Sequence, residues 1–134
     1  MVKKIIYVSA CVIVDIDNKI LVATREHKSD FKTYWEFPGG KLNKNETPED
    51  CLIREIKEEL DILVEGNEEL IIIDHAYSHK KLQFHVYLCK LISGEPKTLA
   101  SQQIKWVLPI DLSKYPFPSA NIKIISALLT YLDK

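Results

Sequence analysis

The chain has too few cysteines, wrongly spaced, to be held together by disulfides or by structural zinc. Cys11, Cys51 and Cys89 are odd in number, far apart and include no Cys-x-x-Cys pair, a usage that fits a reducing, cytoplasmic setting. All three fall in apolar runs, which predicts small buried residues. The four histidines, His27, His75, His79 and His85, show no metal-ligand spacing and read as loop or strand residues. No apolar stretch approaches the ~20 residues of a membrane-spanning helix, so no membrane partner is expected. A surplus of positive charge is missing too: 18 Lys and Arg stand against 19 Asp and Glu, a net charge of −1. That disfavours a nucleic acid polymer as partner, while a small anion held by a few local cations and a metal stays open. Repeats, low-complexity tracts and linkers are absent. The 134 residues suffice for one domain, 1–134, and are too few for two.

What is present reads as an ordinary soluble protein, with 46% hydrophobic and 28% charged residues. Near the N-terminus, Lys3-Lys4 followed by an apolar run to Cys11 superficially resembles a lipoprotein signal. The run before Cys11 is shorter than an apolar signal core of ~7–15 residues. It also continues into Val12-Ile13-Val14, as a strand would. Residues 4–14 therefore predict a strand, 15–19 a turn, and 20–24 a second strand closing a hairpin. Residues 26–34 read as a polar loop. A helix is expected over 48–60, with Thr47 as N-cap, Pro48 in the first position and Asp50 as the acidic partner of a capping box. Cys51, Leu52, Ile56 and Leu60 form its apolar stripe; Glu49, Arg54, Lys57 and Glu58 look outward. Residues 69–78 and 82–92 predict two more strands, Gly94-Glu95-Pro96 a break, and 104–108 a shorter strand. The last element is a helix over 119–132, capped by Ser119, with Ile122, Ile125, Leu128, Leu129 and Leu132 at helical spacing. Strands outnumber helices, which points to a mixed sheet flanked by helices rather than a regular βαβ series.

The chemistry concentrates in residues 36–62. Glu55, Glu58 and Glu59 are three and four positions apart, so a helix puts them on one face. Such a cluster repels itself unless cations neutralise it, and hard oxygen donors suit Mg²⁺, with Mn²⁺ as a substitute. Gly39-Gly40, just before the helix, permits close backbone approach and offers a carbonyl to the same ion. Three glutamates alone would read as ordinary decoration of a solvated helix. Their surroundings change that: Gly40, five residues, Glu46, seven residues, Arg54-Glu55-Ile56, one residue, Glu58-Glu59, one residue, Asp61-Ile62.

This spacing resembles the Nudix box at every position but the last glycine, here Asp61, which falls where a helix ends in a left-handed residue. The resemblance implies an α+β fold, the α/β/α Nudix sandwich, with a mixed, curved sheet between helices. It also implies that Gly39, Glu55, Glu58 and Glu59 bind the catalytic metal, and that a salt bridge between Glu46 and Arg54 braces the loop against the helix. Water would attack a phosphorus while a carboxylate takes its proton; Glu55 is the first choice for that base and Glu58 the second.

Beyond the box the chain is similar to the MutT-like group, which hydrolyses nucleoside triphosphates. The similarity is carried by Thr24-Arg25, by Trp35 to Lys41, and by Tyr115-Pro116-Phe117-Pro118-Ser119-Ala120-Asn121. It implies substrate contacts from Arg25 and Lys41 to phosphate, from Asn121 to the base, and from Phe37 as a wall of the base pocket. Relatives often carry a glutamate before the Trp106 strand, but residues 97–105 contain no acid. Trp106 itself reads as core. The expected reaction is cleavage of a nucleoside triphosphate to monophosphate and pyrophosphate, with 8-oxo-dGTP as the leading substrate in nucleotide-pool sanitisation and DNA repair. CTP, dCTP or a modified pyrimidine triphosphate is the alternative, and a binding module without catalysis the third reading. The chain is expected to act as a monomer or weak homodimer.

Overall fold

The strand expected at the N-terminus, β1 (Lys4–Val14), runs through the middle of a seven-stranded mixed sheet. The structure is a computed structural model and describes residues 4–26, 33–100 and 103–133. After β1 come β2 (Ile20–Glu26), β3 (Thr33–Glu36), β4 (Gly39–Lys41), α1 (Pro48–Leu60), β5 (Leu63–Ala76), β6 (Lys80–Ser93), β7 (Ile104–Val107), a 3-10 helix (Pro109–Lys114) and α2 (Ser119–Leu132). The main sheet path is β3-β2-β1-β6-β5, with β4 paired to β1 and β7 to β2. β1 and β6 run parallel and in register from Lys4↔Lys80 to Val14↔Lys90.

β1 is buried on both sides, and its period-2 alternation sorts the core into two layers. Ala10 and Val12 join Val22, Phe37, Val86, Leu112, Ile124 and Leu128 on the α2 side. Cys11 and Ile13 join Leu21, Leu52, Ile56, Leu60, Tyr87 and Cys89 on the α1 side. The sheet thus lies between two helical layers. All three cysteines are buried and free, and Trp106 packs against the α1-side layer.

Several expectations need correction. The β1–β2 hairpin pairs only at Val14↔Ile20; beyond it β2 turns to β3 and β7, and β4 takes the place beside Val8 to Ala10. Residues 33 and 34, read as loop, belong to β3, while 27–32, including His27, lie outside the described residues, as do 101 and 102. β5 starts at Leu63 and ends before Tyr77, because pairing with β6 extends the ladder over residues too polar to announce a strand. The residue before α2 is Pro118, with no side-chain cap; Ser119 is already helical. Ile122, Leu129 and Leu132 are exposed, and the inner face of α2 is Ala120, Asn121, Ile124, Ile125 and Leu128.

α1 has its expected bounds and N-cap. The Thr47 side chain accepts from the Asp50 N–H at 3.1 Å, and Asp61 ends the helix in the left-handed conformation, φ 55°. A second anchor was not foreseen: the fully buried Ser9 hydroxyl donates to the Pro48 carbonyl at 2.6 Å, tying the helix start to β1. Ser9→Ala is expected to destabilise the fold by about 1 kcal/mol. This should appear as a lower urea midpoint at constant slope; an unmoved midpoint would show that the bond does not hold α1.

Candidate active site

A cleft of about 460 Å³ opens between β1, β3, β4, α1, the β5–β6 turn and the start of α2. Arg25, Glu36, Phe37, Gly39, Gly40, Lys41, Glu55 and Asn121 all line it. Larger grooves of about 680 and 660 Å³ run along α2, away from the glutamates of α1.

Two glycines build the floor. Gly39 has φ +155°, and a Cβ there would fall 1.9 Å from the Ser9 carbonyl oxygen of the neighbouring strand. At Gly40 a Cβ would meet first the Glu55 carboxylate, at 2.4 to 2.7 Å. Glycine therefore lets β4 lie against β1 and lets the Glu55 side chain lie against β4.

Arg54 organises the acids. Its Nε and Nη2 donate to the two oxygens of Glu46 at 2.8 and 2.9 Å, a bidentate fork. Nη1 reaches Glu55 at 2.8 Å and Glu58 at 3.3 Å, and Nη2 also reaches the Lys41 carbonyl at 3.1 Å. Arg54, read from periodicity as outward-facing, is thus a partly buried hub. Its hydrogen bonds, aided by the Asn43 N–H, hold the Glu46 carboxyl down to about 2, and the acids raise the Arg54 guanidinium further.

The three α1 glutamates do not share one environment. Glu59 is buried with its side chain 11% exposed, whereas that of Glu58 is 59% exposed and turned to Arg54. Burial pushes the Glu59 carboxyl up to about 7, opposed by the Arg25 charge and reinforced by Glu55 and Glu36. Among the described residues, no three acids form a finished metal cage. A buried carboxylate crowded by other acids nonetheless fits a hard divalent cation whose remaining ligands are substrate oxygens, the usual habit of Mg²⁺.

At the other end of the cleft, Asn121 is buried in the first turn of α2, where its Oδ1 accepts from the Phe37 N–H at 3.3 Å. Phe37 stacks on Phe117 at 5.5 Å, so it is both core and cleft wall. Lys41 is exposed at the rim.

A family model described as NUDIX domain matches residues 9–127. The chain belongs to the Nudix family. This Nudix chain is 38% identical over 129 residues to the 8-oxo-dGTP diphosphatase of Haemophilus influenzae, covering 96% of the chain and 95% of that protein. It is 31% identical to the CTP pyrophosphohydrolase of Escherichia coli, covering 87% of each. Among solved structures it is similar to the E. coli ORF135 protein, with TM-score 0.85, 30% identity, and coverage of 96% and 91%. Nudix enzymes are hydrolases that generally use a divalent metal. In this one the box's closing glycine is Asp61, whose carboxylate pairs with Lys57 at 2.6 Å and Lys97 at 3.0 Å. Those hydrogen bonds hold it at about 2.

Four residues of the site escaped the sequence reading. Ser9, Tyr77 and Lys80 line the cleft, the last two from the β5–β6 turn with Lys80 Nζ 5.4 Å from the Tyr77 ring. Glu36 stood inside the quoted motif without a role. Its place beside Arg25 follows from the β2–β3 register, which the sequence does not announce.

Proposed function

We propose that the chain, acting as a single Nudix domain, hydrolyses an oxidised guanine nucleoside triphosphate such as 8-oxo-dGTP to monophosphate and pyrophosphate, with Mg²⁺ as cofactor. The observation that carries this reading is one cleft with Glu55 and Gly39 on its floor and Phe37 with Asn121 at its far end. One end suits phosphates and the other an aromatic base. Similarity to 8-oxo-dGTP diphosphatases supports the guanine assignment. The 31% identity to a CTP pyrophosphohydrolase supports a second reading, a cytidine triphosphate in the same pocket.

Glu55, Glu58 and Glu59, with the Gly39 carbonyl, would hold the metal. When bound, it would neutralise charge on the phosphate oxygens. In the reaction a water oxygen bonds to phosphorus, the anhydride between the α and β phosphates breaks, and the water proton passes to a carboxylate. Both Glu55 and Glu58 accept from Arg54, at 2.8 and 3.3 Å; Glu55 is the better base because it alone of the two lines the cleft. Arg25 and Lys41 supply cations for the phosphates. Arg54 with Glu46 holds Glu55 in place.

Pyrophosphate release from canonical and oxidised nucleoside triphosphates, with Mg²⁺ and with chelator, tests the reading. Metal-dependent preference for one guanine nucleotide is the expected result. Preference for CTP moves the assignment to the pyrimidine, and no release from any triphosphate overturns both. Asn121→Ala is expected to raise KM about 10-fold or more for the preferred base, since a buried polar group that pairs with substrate discriminates strongly. A uniform change across bases would show that Asn121 does not read the base.

A further inference from the structure

The segment before β7 carries no acid, for residues 97–105 read Lys-Thr-Leu-Ala-Ser-Gln-Gln-Ile-Lys. An acid reaches the cleft from β3 instead. Ala23 pairs with Glu36 and Arg25 with Tyr34, so alternation places Arg25 and Glu36 on one face as diagonal neighbours. The Arg25 guanidinium lies 3.5 Å from Glu36 through Nε and 3.7 Å from Glu59 through Nη2. Two carboxylates from separate elements, β3 and α1, therefore both contact Arg25. Both are mostly buried, at 18% and 11% side-chain exposure, whereas Arg25 is 55% exposed. Contacts of 3.5 and 3.7 Å are long beside the ~2.7–2.9 Å of a charge-assisted hydrogen bond, so Arg25 is a loose counter-ion, unlike the tight fork of Arg54. Glu36 and Glu59 share a small void of about 10 Å³ with Thr24 and Arg25, and Glu36 also lines the main cleft with Gly39 and Glu55.

We propose that Glu36 is a further ligand of the metal site, joining Glu55 and Glu59 from β3 and standing in for the acid that residues 97–105 lack. The inference rests on the metal-dependent reading above and adds a residue to it. Mg²⁺ demands near-octahedral geometry, and a carboxylate from β3 would approach the ion from a direction that two side chains of one helix do not. Glu55 and Glu59 come from one helix; Glu36 comes from a strand.

The test is Mn²⁺ titration of the nucleotide-free protein, with the free ion followed by electron paramagnetic resonance. Glu36→Gln is expected to weaken Mn²⁺ binding about 10-fold or to lose one bound ion. Glu65→Gln, an equal charge change at an exposed position on β5, is expected to bind as wild type does. Glu36→Asp keeps the charge and shortens the reach, so it separates coordination from charge acting through space. Weakened binding in Glu36→Asp, with an unchanged thermal midpoint, supports the ligand role. Wild-type affinity and stoichiometry in Glu36→Asp overturns it, also where Glu36→Gln fails to fold. Wild-type protein that binds no Mn²⁺ overturns both this inference and the metal-dependent reading. Binding lost in Glu55→Gln but unaltered in both Glu36 variants leaves that reading standing and removes Glu36 alone.

Discussion

Glu55→Gln is expected to reduce kcat for the preferred triphosphate by about 10²-fold or more while leaving the fold intact. The loss is that of a preorganised charge and proton acceptor facing the reacting phosphate. The fold should survive because Glu55 adds a like charge to a crowded acid cluster. Its carboxylate is one of the groups that raise the buried Glu59, and its compensating contact is one bond to an Arg54 that keeps its fork to Glu46. Removing a like charge from a crowded acid cluster offsets the loss of that single bond, so thermal stability should hold or rise slightly. Glu58→Gln is expected to cost less, because Glu58 is the most exposed of the three α1 glutamates and its bond to Arg54 is the longer one, 3.3 Å. Single-turnover rates and melting curves on both variants check this order. Turnover of Glu55→Gln within a few-fold of wild type, with Glu58→Gln inactive, would transfer the base to Glu58.

That uneven treatment of three glutamates marks how far the sequence could be read. Helical spacing placed Glu55, Glu58 and Glu59 on a common side, and the caps at Thr47 and Asp61 fixed where the helix begins and ends. Spacing carries no information on which glutamate points into the core. That depends on β2 and β3 closing over Glu59, and on Arg54 drawing Glu58 aside. Glu36 and Ser9 were missed for the same reason, since their partners Arg25 and Pro48 are 11 and 39 positions away. β1, β6 and β7 were legible because β-branched, aromatic and other apolar residues state a strand locally. β3 and β4, of four and three residues, exist only because β2 and β1 offer them ladders. Ser119 misled because a good capping residue follows a proline that fits the position before the helix equally well. The exposed Ile122, Leu129 and Leu132 belong to apolar spacing that continues around α2 beyond the stripe the sheet covers.

Gly39→Ala and Gly40→Ala, adjacent and chemically identical, should fail in different ways. At position 39 the added methyl meets backbone, the Ser9 carbonyl oxygen at 1.9 Å and the Ala10 Cα at 2.9 Å, in a conformation with φ +155° that L-residues rarely adopt. Backbone cannot step aside without breaking the Ala10↔Gly39 pairing and the Cys11 N–H bond to the Pro38 carbonyl, 2.8 Å. Gly39→Ala is therefore expected to destabilise the protein by about 3 kcal/mol or more, combining backbone strain with a lost ladder. At position 40 the atoms nearest the methyl are those of the Glu55 carboxylate, the end of a flexible chain that can swing away. Gly40→Ala should melt close to wild type, yet its activity should fall about 10²-fold, because a displacement of about 1 Å at a reacting group has that effect. Melting temperature and kcat measured on the same two proteins decide the matter. If Gly40→Ala kept full activity, Glu55 would work from a position other than the one packed against β4, and the assignment of the base would have to move with it.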